Sequence, residues 1–251
     1  MSEKISENEY LGGRVRIRQP VKGYRAGVDP VLLAASVPAR SGQTVLELGV
    51  GVGTAALCLN ARVPDLNLTG VEIQPDYAAL ARENGALNKA DLTVIEADLE
   101  ALPDQVKSAR FDHVMANPPY FDRAAGHAAT DLGRETAMGE ATPLKAWLEV
   151  AARRVTPKGY VSFIHRAERT QDLLRYLPKT LGSVQIQPLQ PRTSRDAHLV
   201  ILRARHSGKA PLRLHAPILM HEGRAHTSDA ESYTAEIKAV LRDSAPLGMP
   251  D

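Results

Sequence analysis

From residue 43 onward the chain repeats one pattern, a short run of β-type apolar residues followed by a longer stretch with helical spacing. TVLELG leads into a helical pattern through TAALCLNARV, and LTGVEI into PDYAALARENGALN; LTVIEAD, FDHVMAN and GYVSFIH continue the strand series. Helical stretches near 100–108 and 143–155 separate the later members. Parallel strands need a crossover between them and helices supply it, so the alternation predicts an α/β fold, a mostly parallel sheet with helices on both faces. After a further helix over 168–181, SVQIQPL and HLVILRAR are joined only by QPRTSRD. A link that short allows antiparallel pairing alone, so a sheet of seven strands should end in an antiparallel hairpin. A strand near LRLHAPILM and a helix near SYTAEIKAVLR complete the pattern.

No internal repeat or linker divides the chain, and one domain accounts for it. Residues 1–40 read as an N-terminal extension with a lead-in helix, 41–205 as the core and 206–251 as a C-terminal extension. A chain of 251 residues can bury such a core, and 43% hydrophobic with 24% charged residues excludes the disordered and membrane classes. No apolar run approaches the ~20 residues of a membrane span, and MSEKISENEY is acidic where a secretory signal is basic and then apolar. Both features point to the cytoplasm. The single cysteine, Cys58, lies on the apolar face of its helix and reads as a core residue. Net charge is only +2, but two blocks are basic: Arg14, Arg16, Arg18, Lys22 and Arg25, and Arg192, Arg195, Arg203, Arg205, Lys209 and Arg213 against Asp196. That asymmetry suggests a polyanionic partner, unless the blocks are solvated faces of unrelated elements.

LELGVGVGT sets Gly49, Gly51 and Gly53 between the first core strand and a helix. Glycines there let the backbone turn tightly and approach a ligand, and the helix start offers unpaired amides. The dinucleotide fingerprint G-x-G-x-x-G fails, because its third position falls on Thr54. Glu47 stands two residues before the first glycine, where it would repel a pyrophosphate and attract the cationic aminoacyl end of S-adenosylmethionine. This segment resembles the class I S-adenosylmethionine-dependent methyltransferases, which implies their Rossmann-like sheet and S-adenosylmethionine as cofactor. Glu72, at the end of LTGVEI, occupies the position that accepts ribose hydroxyls in Rossmann-type folds. By the same resemblance Asp98 would hold the adenine amino group, and Ile73 and Tyr24 join the cofactor-binding candidates. The alternative for each strand-end acid is a helix cap.

MANPPYFD, residues 115–122, ends the fourth core strand. Pro118 and Pro119 cannot donate ladder hydrogen bonds, so the strand must stop by Asn117. Asn117-Pro118-Pro119-Tyr120 resembles the catalytic motif of amino-methyltransferases acting on adenine N6 or glutamine N5. An exocyclic amine conjugated to a ring is a poor nucleophile. The Asn117 side-chain oxygen and the Pro118 carbonyl can accept its two N–H groups, and Tyr120 can stack on the base.

YRAGVDPVLLAAS, with Gly27, Asp29, Leu32 and Leu33, and HSGKAPLRLHAPILMHE are similar to bacterial N6-adenine methyltransferases of the valine-tRNA type. The resemblance covers roughly residues 10 to 205 and implies an RNA partner, most naturally tRNA, with Asp29 near the cofactor; monomer and homodimer both stay open. The segment after the motif departs from the family pattern, and Arg123, His127 and Arg134 in it are candidate phosphate contacts. The competing readings are a glutamine N5-methyltransferase of a translation factor and a non-catalytic RNA-binding protein on the same scaffold. The first usually carries a sizeable helical domain ahead of the glycine loop, and intact Glu47, Glu72, Asn117 and Tyr120 argue against the second. A helical zinc pair needs histidines four apart, whereas His221 and His226 are five apart.

Overall fold

The computed structural model describes residues 4–120, 142–223 and 232–249. Its centre is a nine-stranded sheet. Five strands of the alternating region are parallel: β3 (Thr44–Leu48), β4 (Asn67–Glu72), β5 (Leu92–Glu96), β6 (Phe111–Ala116) and β7 (Val155–Arg166). The hairpin of β8 (Leu181–Gln190) and β9 (Leu199–His206) adds to β7 through β9, antiparallel as the short link requires. These are the seven expected strands. Two short ones, β10 (Arg213–Leu214) and β11 (Ile218–Leu219), lie parallel on the outer side of β8. They replace the single strand expected near LRLHAPILM, and Pro217 between them cannot donate to the ladder.

Before the core, α1 (Asp29–Ser36) is the lead-in helix. The crossovers carry α2 (Thr54–Arg62), α3 (Pro75–Leu87), α4 (Asp104–Ser108) and α5 (Leu144–Arg154), and α6 (Thr170–Arg175) and α7 (Ala235–Asp243) follow. The helix expected over 168–181 is only a 3-10 turn plus α6, since Pro178 blocks continuation and β8 begins at Leu181. The stretch near 100–108 is likewise split by Pro103.

Alternation along the strands divides the core. Val45, Met115 and Ile164 point to one cluster with α1, α2, α3 and α7, while Leu46, Val114 and Phe163 point to a second with α4, α5 and α6. Cys58 is buried in the first cluster, where burial pushes its thiol up.

The N-terminal extension contains a feature not foreseen, an antiparallel hairpin of β1 (Ile5–Tyr10) and β2 (Val15–Pro20). In β2, Val15 and Ile17 face the core while Arg16 and Arg18 face out. Asn84 and Asn88 fix it against α3. Asn84 is fully buried; its amide accepts from Arg18 N at 2.8 Å and donates to the carbonyls of Arg18 and Val52, both at 2.9 Å. Asn88 repeats this with the backbone of Arg16. The outer edge of β2 is thereby capped by side chains, and the glycine loop is tied to the hairpin at Val52. Truncating Asn84 to alanine leaves three backbone groups without their partner, and should lower stability by about 3 kcal/mol, a fall of about 6–12 °C in Tm by thermal unfolding.

Candidate active site

At the carboxyl ends of β3, β4 and β6 lies a cavity of about 310 Å³, within the size range of ligand sites. Its wall contains Tyr24, Asp29, Glu47, Gly49, Gly51, Glu72, Ile73, Asn117, Pro118, Pro119 and Tyr120. Those candidates, spread over about a hundred residues of sequence, meet in one space.

Glu47 follows Val45 on the same face of β3 and so points at the start of α2, where its carboxylate accepts from Ala56 N at 2.9 Å. It is buried, and burial holds its pKa well above the usual carboxylate range; the Ala56 amide opposes this and nearby Glu72 adds to it. Glu72 is buried too, which raises its pKa, while amides lower it: Gly51 N donates to one oxygen at 2.8 Å and Gln74 N to the other at 3.0 Å. Burial, then Asp29 and Glu47, push the Tyr24 hydroxyl up.

Gly49 has φ +64°, and a Cβ there would lie 2.5 Å from the Trp147 ring, so only glycine fits. Gly51 has φ +54° with nothing within 4 Å of a Cβ position, which leaves open space over the cavity. Gly53 does not line the cavity; it starts α2 at φ +89° and packs toward Ala81 and Leu92.

Asn117 lines the cavity, and its Oδ1 is buried with no hydrogen-bond partner among the described residues. Such orphans are uncommon, and in a cavity wall they mark a place for a donor. Tyr120 is fixed from behind, its hydroxyl donating to Asp29 Oδ2 at 2.6 Å. Its ring lies 5.4 Å from that of His165 and 5.8 Å from the Arg166 guanidinium carbon. His165 is fully buried, which lowers its pKa to about 4 and keeps it neutral.

Asp98 is not part of the cavity wall, although Ala97 and Leu99 on either side are. Its carboxylate caps the turn Leu99–Ala101, accepting from Glu100 N at 2.9 Å, as the capping alternative anticipates. Trp147, Tyr77 and Thr54 line the cavity without having been foreseen. Trp147 is the chain's single tryptophan, but nothing local shows that α5 delivers it to Gly49.

The basic blocks are partly committed elsewhere. Arg16 and Arg18 approach Glu7 at 3.5 and 3.3 Å, and Arg203 is buried, donating to Gln185 and the Met249 carbonyl. Arg123, His127, Arg134 and His226 lie outside the described residues. His221 stacks on Tyr233 with ring centres 4.5 Å apart.

A family model for the methyltransferase small domain matches residues 26–186, which hold every cavity residue named above except Tyr24. The chain belongs to this family. A Porphyromonas gingivalis protein named tRNA1(Val) (adenine(37)-N6)-methyltransferase is 34% identical over 176 residues, covering 65% of this chain and 67% of that one. A Haemophilus influenzae protein of the same name is 31% identical over 151 residues, covering 59% of this chain and 64% of the relative. Among solved structures, an Agrobacterium tumefaciens protein described as a predicted O-methyltransferase superposes with a TM-score of 0.70 at 23% identity, covering 87% of this chain and 98% of that one. The Thermus thermophilus 16S rRNA N2 G1207 methyltransferase gives 0.59 at 21% identity, covering 82% and 51%. These two likenesses establish the class I methyltransferase fold.

S-adenosylmethionine is the methyl donor of this family, and the donor and acceptor set suits it. Loop amides are already engaged: Val50 N with the Val71 carbonyl, Gly51 N with Glu72, Gly53 N with the Val50 carbonyl. A pyrophosphate would find few free donors and two carboxylates. A ligand that is cationic at one end and carries hydroxyls at the other finds acceptors for both.

The raised pKa of Glu47 yields a test with a definite sign. A carboxylate whose folded pKa lies above its unfolded one stabilises the fold at low pH, and that contribution is lost as pH rises through the folded value. Glu47→Gln, which keeps an acceptor for Ala56 N, should therefore stabilise the cofactor-free protein at neutral pH, by about 2–4 °C in Tm per kcal/mol recovered. It should weaken S-adenosylmethionine binding at least about tenfold. Wild-type affinity should rise with pH above the ordinary carboxylate range as Glu47 ionises, and the variant should lose most of that slope in calorimetric titrations.

Proposed function

We propose that this protein transfers a methyl group from S-adenosylmethionine to the N6 amine of an adenine in RNA, most naturally a tRNA. The observation that carries the reading is the buried, partnerless Asn117 Oδ1 beside a restrained Tyr120 in the cavity wall. The relatives named above act, by their names, on adenine N6 of a tRNA. Their alignments span about two thirds of their length, so the substrate belongs to the proposal.

In this reading Glu47 takes the cationic end of the cofactor and Glu72 the ribose hydroxyls. Ile73, 53% exposed at the end of β4, offers an apolar surface to the cofactor's base. Bound there, S-adenosylmethionine supplies an electrophilic methyl group on a sulfonium centre. Asn117 Oδ1 accepts one N–H of the target amine and the Pro118 carbonyl the other, which turns the nitrogen lone pair away from both acceptors and into the cavity. Pro119 has no N–H and fixes its φ, so that carbonyl keeps its aim. The Tyr120 ring receives the base by stacking, worth about 1–3 kcal/mol. Both acceptors bind more strongly as positive charge grows on the amine, so the gain falls on the transition state. An adenine inside a helix hides this amine, and the acceptor must be unpaired or flipped.

Replacing Asn117 with alanine should cut turnover about 100-fold or more while cofactor affinity stays within a few-fold. Unmodified tRNA, rRNA, DNA and a glutamine-bearing factor are each incubated with labelled cofactor and digested for mass analysis. Label in N6-methyladenosine from tRNA is expected; label in glutamine alone would replace this reading with N5 methylation of a protein.

A further inference from the structure

Residues 24–27 form neither helix nor strand, yet Tyr24, Arg25, Ala26 and Gly27 make up one wall of the cavity. Side chains of the N-terminal hairpin grip this strap. Gln19 is 2% exposed, and its Oε1 accepts from Ala26 N at 2.9 Å while its Nε2 donates to Asn8 Oδ1 at 3.0 Å. The Tyr10 hydroxyl donates to the Ala26 carbonyl at 2.7 Å and lies 3.4 Å from Gln19 Nε2. Both backbone polar groups of Ala26 are thus held by side chains. Next to it, Arg25 Nη1 donates to Ser6 Oγ and the Pro20 carbonyl, each at 2.8 Å, and its Nη2 to Asn8 Oδ1 at 2.9 Å. From the far side Tyr77, on α3, donates to the Tyr24 carbonyl at 3.2 Å.

We propose that the β1–β2 hairpin is a clasp that sets the strap over the S-adenosylmethionine cavity, with Gln19 and Tyr10 as positioning residues. Gln19 is buried and Ala26 half-buried, so a rearrangement that breaks these bonds costs most at the Gln19 amide, which has little access to water. The clasp has a firm base in the Asn84 and Asn88 bonds that hold β2 to α3 and to Val52 of the glycine loop. One frame therefore positions both the loop under the cofactor and the strap beside it. Charges along β2 serve the same hairpin: Arg16 and Arg18 face Glu7 on β1, and Arg25 reaches both strands. This role rests on the family's cofactor and is independent of which acceptor is methylated.

The test uses the full-length protein with Gln19→Met, which conserves volume, and Tyr10→Phe, which removes one oxygen. Calorimetry with S-adenosylhomocysteine should give a Kd raised about tenfold for Gln19→Met and a few-fold for Tyr10→Phe. The Ala26 amide should exchange its hydrogen faster in both variants. With saturating S-adenosylmethionine, kcat on tRNA should stay within about twofold, so the defect sits in the KM for the cofactor. Unchanged Kd with only a lower Tm would reduce the hairpin to a folding element and overturn the proposal, as would a lower kcat at unchanged Kd. If Gln19→Met does not fold, Tyr10→Phe decides alone. Failure of tRNA methylation in wild-type protein bears on the acceptor and leaves the calorimetric result intact.

Discussion

Two carboxylates buried at the ends of neighbouring parallel strands are the constraint around which the rest of this structure is arranged. A buried carboxylate must find hydrogen-bond donors or give up its charge. Glu47 finds the Ala56 amide in the first turn of α2, and Glu72 finds the amides of Gly51 and Gln74. These bonds fix the glycine loop between them and use donors that a phosphate-binding loop would leave free. The loop thus changes from an anion site to a frame for carboxylates. This is the physical content of a sequence in which the dinucleotide spacing fails while an acid precedes the first glycine.

The same strand register brings the acceptor side of the site into range. Residues 45, 47, 115 and 117 share one face by alternation, so Glu47 and Asn117 look into the same cavity from β3 and from the end of β6. Tyr120 comes next along the chain but takes its orientation from Asp29 at the start of α1, 91 residues away. Two of the segments that resemble known families, upstream at Asp29 and downstream at Tyr120, therefore meet as an acceptor and its donor.

What was legible in the sequence was local. Short apolar runs and their glycine and proline stops located the core strands, because a strand end and a loop are decided by adjacent residues. Contacts set by tertiary approach were not legible: Trp147 against Gly49 and the clasp on Ala26. The hairpin was missed for a different reason. Val15-Arg16-Ile17-Arg18 carries the period-two alternation of a half-buried strand, but its arginines equally fit a polyanion-binding surface. In β1 only Ile5 and Tyr10, at its two ends, are not polar, and no residue is fully buried, so pattern alone gives little warning of it.

The residue at position 117, just past the end of β6, is an amide, and the neighbouring acids supply a reason. Asp29, Glu47 and Glu72 already line the cavity, and Glu47 and Glu72 have raised pKa values from burial. An aspartate at position 117 would enter a buried site beside these carboxylates, and like-charge repulsion together with desolvation would favour its protonated form. A protonated carboxyl directs a hydrogen outward and loses part of its ability to accept from an amine. Asparagine keeps an acceptor oxygen at every pH, and an unpaired amide in a cavity wall costs about 1–3 kcal/mol, well below the penalty for an unpaired charge. In the proposed reaction that penalty is relieved when the target amine arrives, so part of the binding energy is released at the atom where the new bond forms.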